Sequence, residues 1–412
     1  MTKKKTVIVY IYNSFKDPLF RGTVLVYLKE IALNHHFNFH LITYEQSAYR
    51  LTYEEKKIVK HELKEYNIYW HPLKYHSGGI FMLIKKLYDF LIGFALVLKI
   101  KIKYRTPLII SLGNIAGGFS FLYAKILWFD NFILSYEPHS EFMVDFGIWK
   151  KKSLKYKLLN KIEYIMGIYS TYIATGTSYM VERMKKWNCR AQIYRLPSCV
   201  DSKKFFFNIE SKEKIRKQLD ITDQKIFLYV GKFGGIYYKE EIALACKVFY
   251  KADPKSFFLI VTPNDNKEIT EIFNKYEIPQ SNFFITSAHY DHIQDYISAS
   301  DIGIVAIPPL PSQKYRSPIK VGEYLLCGLP YIVVKGVSED DVYAEKYNIG
   351  VVIDTFSEEA IKKTIPQINK IFEEDSKTLK ERCRAIGKEY RDSNLAYLTF
   401  LDVLNKTFKT KN

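Results

Sequence analysis

The stretch SPIKVGEYLLCGLPYIVV, Ser317 to Val334, fixes the fold class of the chain. Ser317 suits a helix N-cap, Pro318 suits the first turn, Gly328 suits the left-handed position that closes a helix, and Pro330 forbids continuation. This punctuation predicts a helix of about three turns. The compact apolar run DIGIVAI (Asp301 to Ile307) precedes it and YIVV (Tyr331 to Val334) follows, so the unit reads as buried strand, loop, helix, buried strand. Such units build parallel sheets, with the free backbone N–H groups around Ser317, Ile319 and Lys320 forming an anion site at the carboxyl edge. Glu323 stands one turn deeper in an otherwise apolar helix. Lys320 lies three residues before it, a spacing that also fits a solvated surface pair.

Working outward, the candidate strands VIVYIY, FHLIT (Phe39 to Thr43), PLIIS (Pro107 to Ser111), NFILSY (Asn131 to Tyr136) and YIATG alternate with candidate helices. Those helices are Thr23 to Leu33, Ile80 to Ile100, Gly118 to Leu127 and Ser153 to Gly167. After RLPSCVD (Arg195 to Asp201) a second series begins with KIFLYVG and runs through FFLIVT, NFFITS, DIGIVAI, YIVV and GVVID. The expected class is α/β, with two Rossmann-like domains facing across a crevice. The first domain is residues 1–193, with a tail helix over 390–412 packing back on it, and the second is residues 194–389.

A chain of 412 residues exceeds what one core usually supports, which agrees with two domains. Hydrophobic residues make up 48% and aromatics 16%, which excludes a disordered chain. Lys and Arg outnumber Asp and Glu by 61 to 44, a net charge of +17 that favours phosphates or anionic surfaces. The five cysteines are scattered, with no C-x-x-C spacing for zinc or redox chemistry. The segment Ile80 to Ile100 carries Lys85, Lys86 and Asp89 and falls short of a clean membrane span. The run VIVYIY reads as a first strand rather than a leader. The segments KIKIKYR (Lys99 to Arg105) and WKKKSLKYKLLNK (Trp149 to Lys161) mix lysines with aromatics and aliphatics. They fit a surface resting on anionic lipid, and the expectation is a cytoplasmic protein peripherally attached to the inner membrane face. No nucleic-acid module is visible.

The chemistry gathers in LYVGKFGGIYYKEE, where a strand ending at Gly231 leads into Lys232, a turn at Gly234 and Gly235, and Lys239 at a helix start. Glycines allow close backbone approach and the lysines supply charge, an arrangement suited to a diphosphate. In the first half, SYEPHSEFM places His139 between Glu137 and Glu141 after a strand end. His289, Asp291 and His292 lack a third and fourth partner, so no metal site is expected.

Four segments resemble glycosyltransferase family 4, the retaining nucleotide-sugar enzymes of the two-Rossmann GT-B type. RLPSCVDSKKF is similar to "I-P-N-G-V-D-x-x-x-F", YVGKFGGIYYKE to "Y-V-G-R-x…K-G", ISASDIGIV to "x-x-A-D-I", and SPIKVGEYLLCGLPYIV with NIGVVID completes the set. In the first half SYEPHSEFM and YIATGTSYMVERM carry a vaguer likeness. The resemblance implies that Glu323 receives ribose hydroxyls and that Ser317, Pro318, Ile319, Lys320 and Gly231 flank the donor phosphates. It further implies that Lys232 and Lys239 stabilise the diphosphate, that Ala288, His289 and Tyr290 line the base, and that His139 stands near the reacting sugar. The activity implied is transfer from a nucleotide sugar to a saccharide or lipid-linked acceptor in envelope polysaccharide assembly, with no cofactor. The family often has a glutamate eight positions before Glu323, where this chain has Tyr315. That departure keeps open a non-catalytic binding subunit, and an epimerase or phosphorolytic enzyme on the same fold is a separate alternative.

Overall fold

The computed structural model describes residues 5–17, 20–77, 81–135 and 137–409. The N-terminal Met1 to Lys4 of the leader reading, Ile80 at the start of the apolar helix and Tyr136 in the SYEPHSEFM phrase lie outside these residues. The chain forms two compact units, residues 1–197 with 393–412, and residues 198–392. The crossings fall three to four residues later than the sequence suggests, because Val200 pairs with Asp392 and its N–H donates to the Arg391 carbonyl at 2.7 Å.

The first unit holds β1 (Lys5–Ile11), β2 (Phe37–Glu45), β3 (Ile68–Lys74), β4 (Leu108–Leu112), β5 (Asp130–Leu134), β6 (Tyr172–Thr175) and β7 (Gln192–Arg195) in one sheet of order β3-β2-β1-β4-β5-β6-β7. Every pairing is parallel, with Ile8 opposite His40 on one side and Ile109 on the other. The interior strands are buried along nearly their whole length, as sheets covered on both faces require. The helix Ser393–Lys409 belongs to this unit, where Phe400 packs 4.8 Å from the Tyr27 ring and 5.2 Å from Phe132. The two edge strands escape a hydrophobic-run reading for physical reasons. β3 carries Pro72, tolerated at a sheet edge, and β7 is short and half-exposed.

The second unit holds β8 (Ile226–Val230), β9 (Phe257–Val261), β10 (Phe283–Thr286), β11 (Ile302–Val305), β12 (Tyr331–Val334) and β13 (Gly350–Ile353), again all parallel, in the order β10-β9-β8-β11-β12-β13. Parallel pairing brings all carboxyl ends to one edge. The order reverses between β8 and β11, which makes the gap between their ends the place where such sheets hold ligands.

The helix after β11 runs from Ile319 to Leu326, eight residues rather than three full turns. Ser317 does not cap it. Pro318 occupies the cap position without a side-chain cap bond, and the Ser317 hydroxyl is engaged elsewhere. The helix sits close to β11 because Gly303 has no side chain. A Cβ there would lie 2.6 Å from Tyr324 ring carbons, and the Tyr324 hydroxyl accepts the Val230 N–H at 3.3 Å. Gly303→Ala is therefore expected to push this helix outward and to cost about 1–3 kcal/mol, read as a lowered urea midpoint of the purified protein. An unchanged midpoint would show that the helix relaxes freely.

Candidate functional site

In the second unit the loops after β8 and β11 are bonded to each other. Tyr238 N–H donates to the Ala306 carbonyl at 3.2 Å, and Arg316 Nη2 donates to the Tyr237 hydroxyl at 3.1 Å. Gly234 and Gly235 take φ of 76° and 68°, the left-handed region that glycine tolerates, and this turn folds the loop so that Gly234 N–H meets the Tyr238 carbonyl at 3.1 Å. Gly231 follows β8 directly, and its N–H donates to the Val261 carbonyl at 3.1 Å.

Glu323 has 0% exposure. Its Oε2 accepts from Lys320 Nζ at 2.6 Å, so the pair predicted from the spacing forms, but it is not a solvated surface pair. Its Oε1 is buried and has no hydrogen-bond partner among the described residues. A buried carboxylate oxygen left without a donor is costly, and its natural complement is a hydroxyl or amide brought by a ligand. Tyr290 stands near enough for the Glu323 charge to act on its phenol, whose pKa burial raises first and that carboxylate raises further. Phe205 packs 5.6 Å from the Tyr290 ring, and Lys204 Nζ lies 4.1 Å over it while pairing with Asp291. Ala288 is half-buried against the same core, whereas His289 is exposed and 3.0 Å from Asp291. Lys232 is exposed. Lys239 is engaged, its Nζ 2.6 Å from Glu268 Oε1. Tyr315, where a second glutamate was expected from the resemblance, is buried in a short turn.

In the first unit His139 opens the helix His139–Asp145 just beyond β5. Its ring stacks on Phe142 at 5.9 Å, and Nδ1 lies 3.9 Å from Glu137 Oε1. Glu141 is held by both terminal nitrogens of Arg183. Beneath this helix Glu163, on the helix Leu154–Tyr169, accepts from the Ser140 N–H at 3.1 Å and the Ser140 hydroxyl at 2.5 Å. Burial pushes the Glu163 carboxyl up to about 7 against the pull of those two bonds. A cavity of about 170 Å³ lies beside it, lined in part by Glu137, Asn160, Glu163 and Arg183. Sequence reading missed Glu163, although LLNKIEYI shows the same signal as the Glu323 stretch, one carboxylate in an apolar helix. It also missed Lys204 and Arg391, which no local pattern marks.

Residues 211–390 match the sequence model of the family described as glycosyl transferases group 1. The match lies within the second unit, residues 198–392. The enzyme is a glycosyltransferase. No curated protein sequence matches it. Among solved structures it is similar to sucrose-phosphate synthase from Thermosynechococcus elongatus, with 14% identity over 99% of this chain and 100% of that one and a TM-score of 0.71. It is similar to HepE from Anabaena in complex with UDP, with 12% identity over 98% and 100% and a TM-score of 0.70. It is also similar to WaaG, a glycosyltransferase involved in lipopolysaccharide biosynthesis, with 15% identity over 95% and 98% and a TM-score of 0.64. At these identities the likeness establishes the fold, two parallel-sheet Rossmann-like domains of GT-B type.

The Glu163 carboxyl generates a pH prediction for this glycosyltransferase. Its folded-state pKa of about 7 exceeds the ordinary 4.5, so the folded chain keeps a proton that the unfolded chain releases, and stability falls as pH rises through that window. A shift of this size corresponds to roughly 3 kcal/mol. Urea midpoints of wild type and Glu163→Gln at pH 5 and pH 8 should diverge accordingly, the wild type losing more on the rise. Equal losses in the two proteins would mean that Glu163 titrates normally.

Proposed function

We infer that the enzyme transfers a sugar from a nucleotide-sugar donor, with retention of configuration, to a lipid-linked or envelope polysaccharide precursor. The observation that carries the donor half is the buried Glu323 Oε1 without a partner, a ready acceptor for a ribose hydroxyl, placed one turn inside a helix whose first N–H groups are free for phosphate. The HepE structure contains UDP, which supports the same chemistry here. In this reading Gly231 and the segment Ser317 to Lys320 surround the diphosphate. Lys232 and Lys239 stabilise its charge, Lys239 leaving Glu268 to do so, and Ala288 to Tyr290 receive the base, with His289 at its exposed rim. The bond from the anomeric carbon to the diphosphate breaks, the bond to the acceptor oxygen forms on the same face, and the departing diphosphate takes the acceptor proton. Lysines and a helix terminus supply the charge that a metal would otherwise supply. His139, at the start of its helix beyond β5, orients the reacting sugar rather than acting as base.

The acceptor half rests on the surface of the first unit. The helices Met82–Tyr104, Asn114–Leu127 and Leu154–Tyr169 pack in succession and expose Leu83, Ile84, Leu87, Leu91, Leu122, Ile126 and Leu158. Trp128 is 89% exposed beside them, and Lys99, Lys103, Lys125, Lys155 and Lys161 are interspersed. Among the described residues no helix is long and apolar enough to cross a membrane. Apolar side chains among lysines suit attachment at an anionic membrane face, where each nearby cation contributes about 1 kcal/mol. That is where a lipid-linked acceptor would be met.

A thermal-shift screen of nucleotide sugars should identify the donor, since a ligand at about 100 times its dissociation constant stabilises by about 2.7 kcal/mol. Glu323→Ala should then lower apparent donor affinity at least about tenfold, and Lys239→Ala should lower turnover about a hundredfold, both measured by steady-state kinetics on variants shown folded by circular dichroism. Wild-type kinetics in both variants would overturn the donor assignment. In a second experiment the protein should sediment with anionic vesicles at low salt and detach as ionic strength rises, the screening length being about 10 Å at 0.1 M. Indifference to lipid charge would remove the electrostatic part of the membrane reading.

A further inference from the structure

The chain entering the helix His139–Asp145 of the first unit is held on both sides of His139. Before it, the Ser135 hydroxyl donates to Asn114 Oδ1 at 2.7 Å, and Asn114 Nδ2 donates to the Glu137 carbonyl at 2.9 Å. After it, the buried Ser140 gives its N–H and its hydroxyl to the two oxygens of Glu163, and its own oxygen accepts from Asn160 Nδ2 at 3.1 Å. The Ser140 N–H belongs to the first turn, where a helix offers no backbone partner, and Pro138 at the cap position supplies no side-chain bond. Glu163 therefore caps this helix from a neighbouring one, a single peptide bond away from His139.

The clamp matches one charge state of Glu163. A carboxylate only accepts, and it takes both Ser140 donors at once. A carboxylic acid has a proton to place. On Oε2 that proton meets the Ser140 hydroxyl, which would have to turn round although Asn160 already donates to its oxygen. Burial opposes the charge that the clamp needs, so the two forms lie close in free energy. His139 and Glu141 face Glu163 from the helix it caps, Glu137 from the loop before it, and Tyr156 and Tyr164 from its own helix. Arg183, on the helix Ser178–Lys186, faces it across the cavity of about 170 Å³ and is committed to Glu141. On the remaining side the helix Asn114–Leu127 packs Gly117 near Met166 and Gly118 near Ile162.

We propose that Glu163 is a positioning residue for His139: ionised, it clamps Ser140 and fixes the His139 ring for the reacting sugar, and protonated it loosens that clamp, so that turnover follows the charge of a carboxyl that touches no substrate. This rests on the reading of His139 as the group that orients the reacting sugar. The coupling has a sign. Turnover rises with pH across the window in which Glu163 ionises, while the stability contributed by its bound proton falls there. Activity is gained where stability is given up, as at other strained sites.

Histidine side-chain NMR of the full chain, with the His139 signals assigned by their loss in His139→Gln, tests this without a substrate. Between pH 5 and pH 8 the wild-type His139 signals should follow two inflections, their own and that of Glu163, and Glu163→Gln should keep only the first. Turnover is read as release of UDP or GDP from UDP-glucose, UDP-N-acetylglucosamine and GDP-mannose. Wild type should speed up as pH rises through about 7. Glu163→Gln should lack that rise and lie about tenfold below wild type at pH 8, with the Kd for UDP or GDP unchanged. Ser140→Ala, which keeps the N–H and loses the hydroxyl, should show part of the same loss, and it carries the test should Glu163→Gln fail to fold. His139 signals that titrate identically in wild type and Glu163→Gln, or identical dependence of turnover on pH, would overturn the proposal and leave the reading of His139 in place. Wild-type turnover in His139→Gln would overturn that reading, and this inference with it. Where none of the three nucleotide sugars is turned over, the NMR comparison decides.

Discussion

A carboxylate that reaches no water has to find its donors within the fold, and Glu323 finds one where it could hold two. Much of the second unit is arranged around that deficit. Gly303 has no side chain so that the helix can lie against β11, Tyr324 anchors it to the end of β8, and Gly322 admits the Arg391 stem on its other side. A helix so tightly seated cannot swing its glutamate to solvent. Lys320 meets the cost of burying this carboxyl only in part, and under the proposed donor assignment a ligand hydroxyl would meet the rest.

The first unit offers a contrast with the same starting material. Glu163 is also a single carboxylate in an apolar helix, but both its oxygens are satisfied by Ser140. Burial then acts through protonation, raising its pKa to about 7. Glu323 has an ammonium at one oxygen and no partner for the other among the described residues, whereas Glu163 is kept close to neutral beside a hydroxyl and an amide. Two similar sequence signals therefore mark chemically different sites, and only the identity of the neighbour separates them.

What the sequence made legible follows from how local each determinant is. The central strands are continuous apolar runs bounded by turn residues, so β1, β4, β8, β11 and β12 were readable within a residue or two, and with them the two parallel sheets. The edge strands β3 and β7 bury one face or less and lost that signal. At the site, Glu323 and Gly231 stood out because charge and glycine interrupt an apolar pattern. The reading of Ser317 as a helix cap failed because a residue 74 positions later, Arg391, competes for its hydroxyl. Glu268 claims Lys239 across a separation that no periodicity reports. Contacts between distant segments carry no local pattern, so they had to be seen.

The ion pair between Lys239 and Glu268 has a consequence for turnover. Both side chains are nearly half exposed, so the pair is weak and exchangeable. An ammonium recruited to a departing diphosphate tends to retain the product it has just stabilised. If Lys239 serves the diphosphate as proposed, the Glu268 carboxylate 2.6 Å away would give that ammonium somewhere to return, and would compete with the spent nucleotide for it. Under the proposed donor assignment, a contact that looks like ordinary surface chemistry acts as the release mechanism of the catalytic cycle.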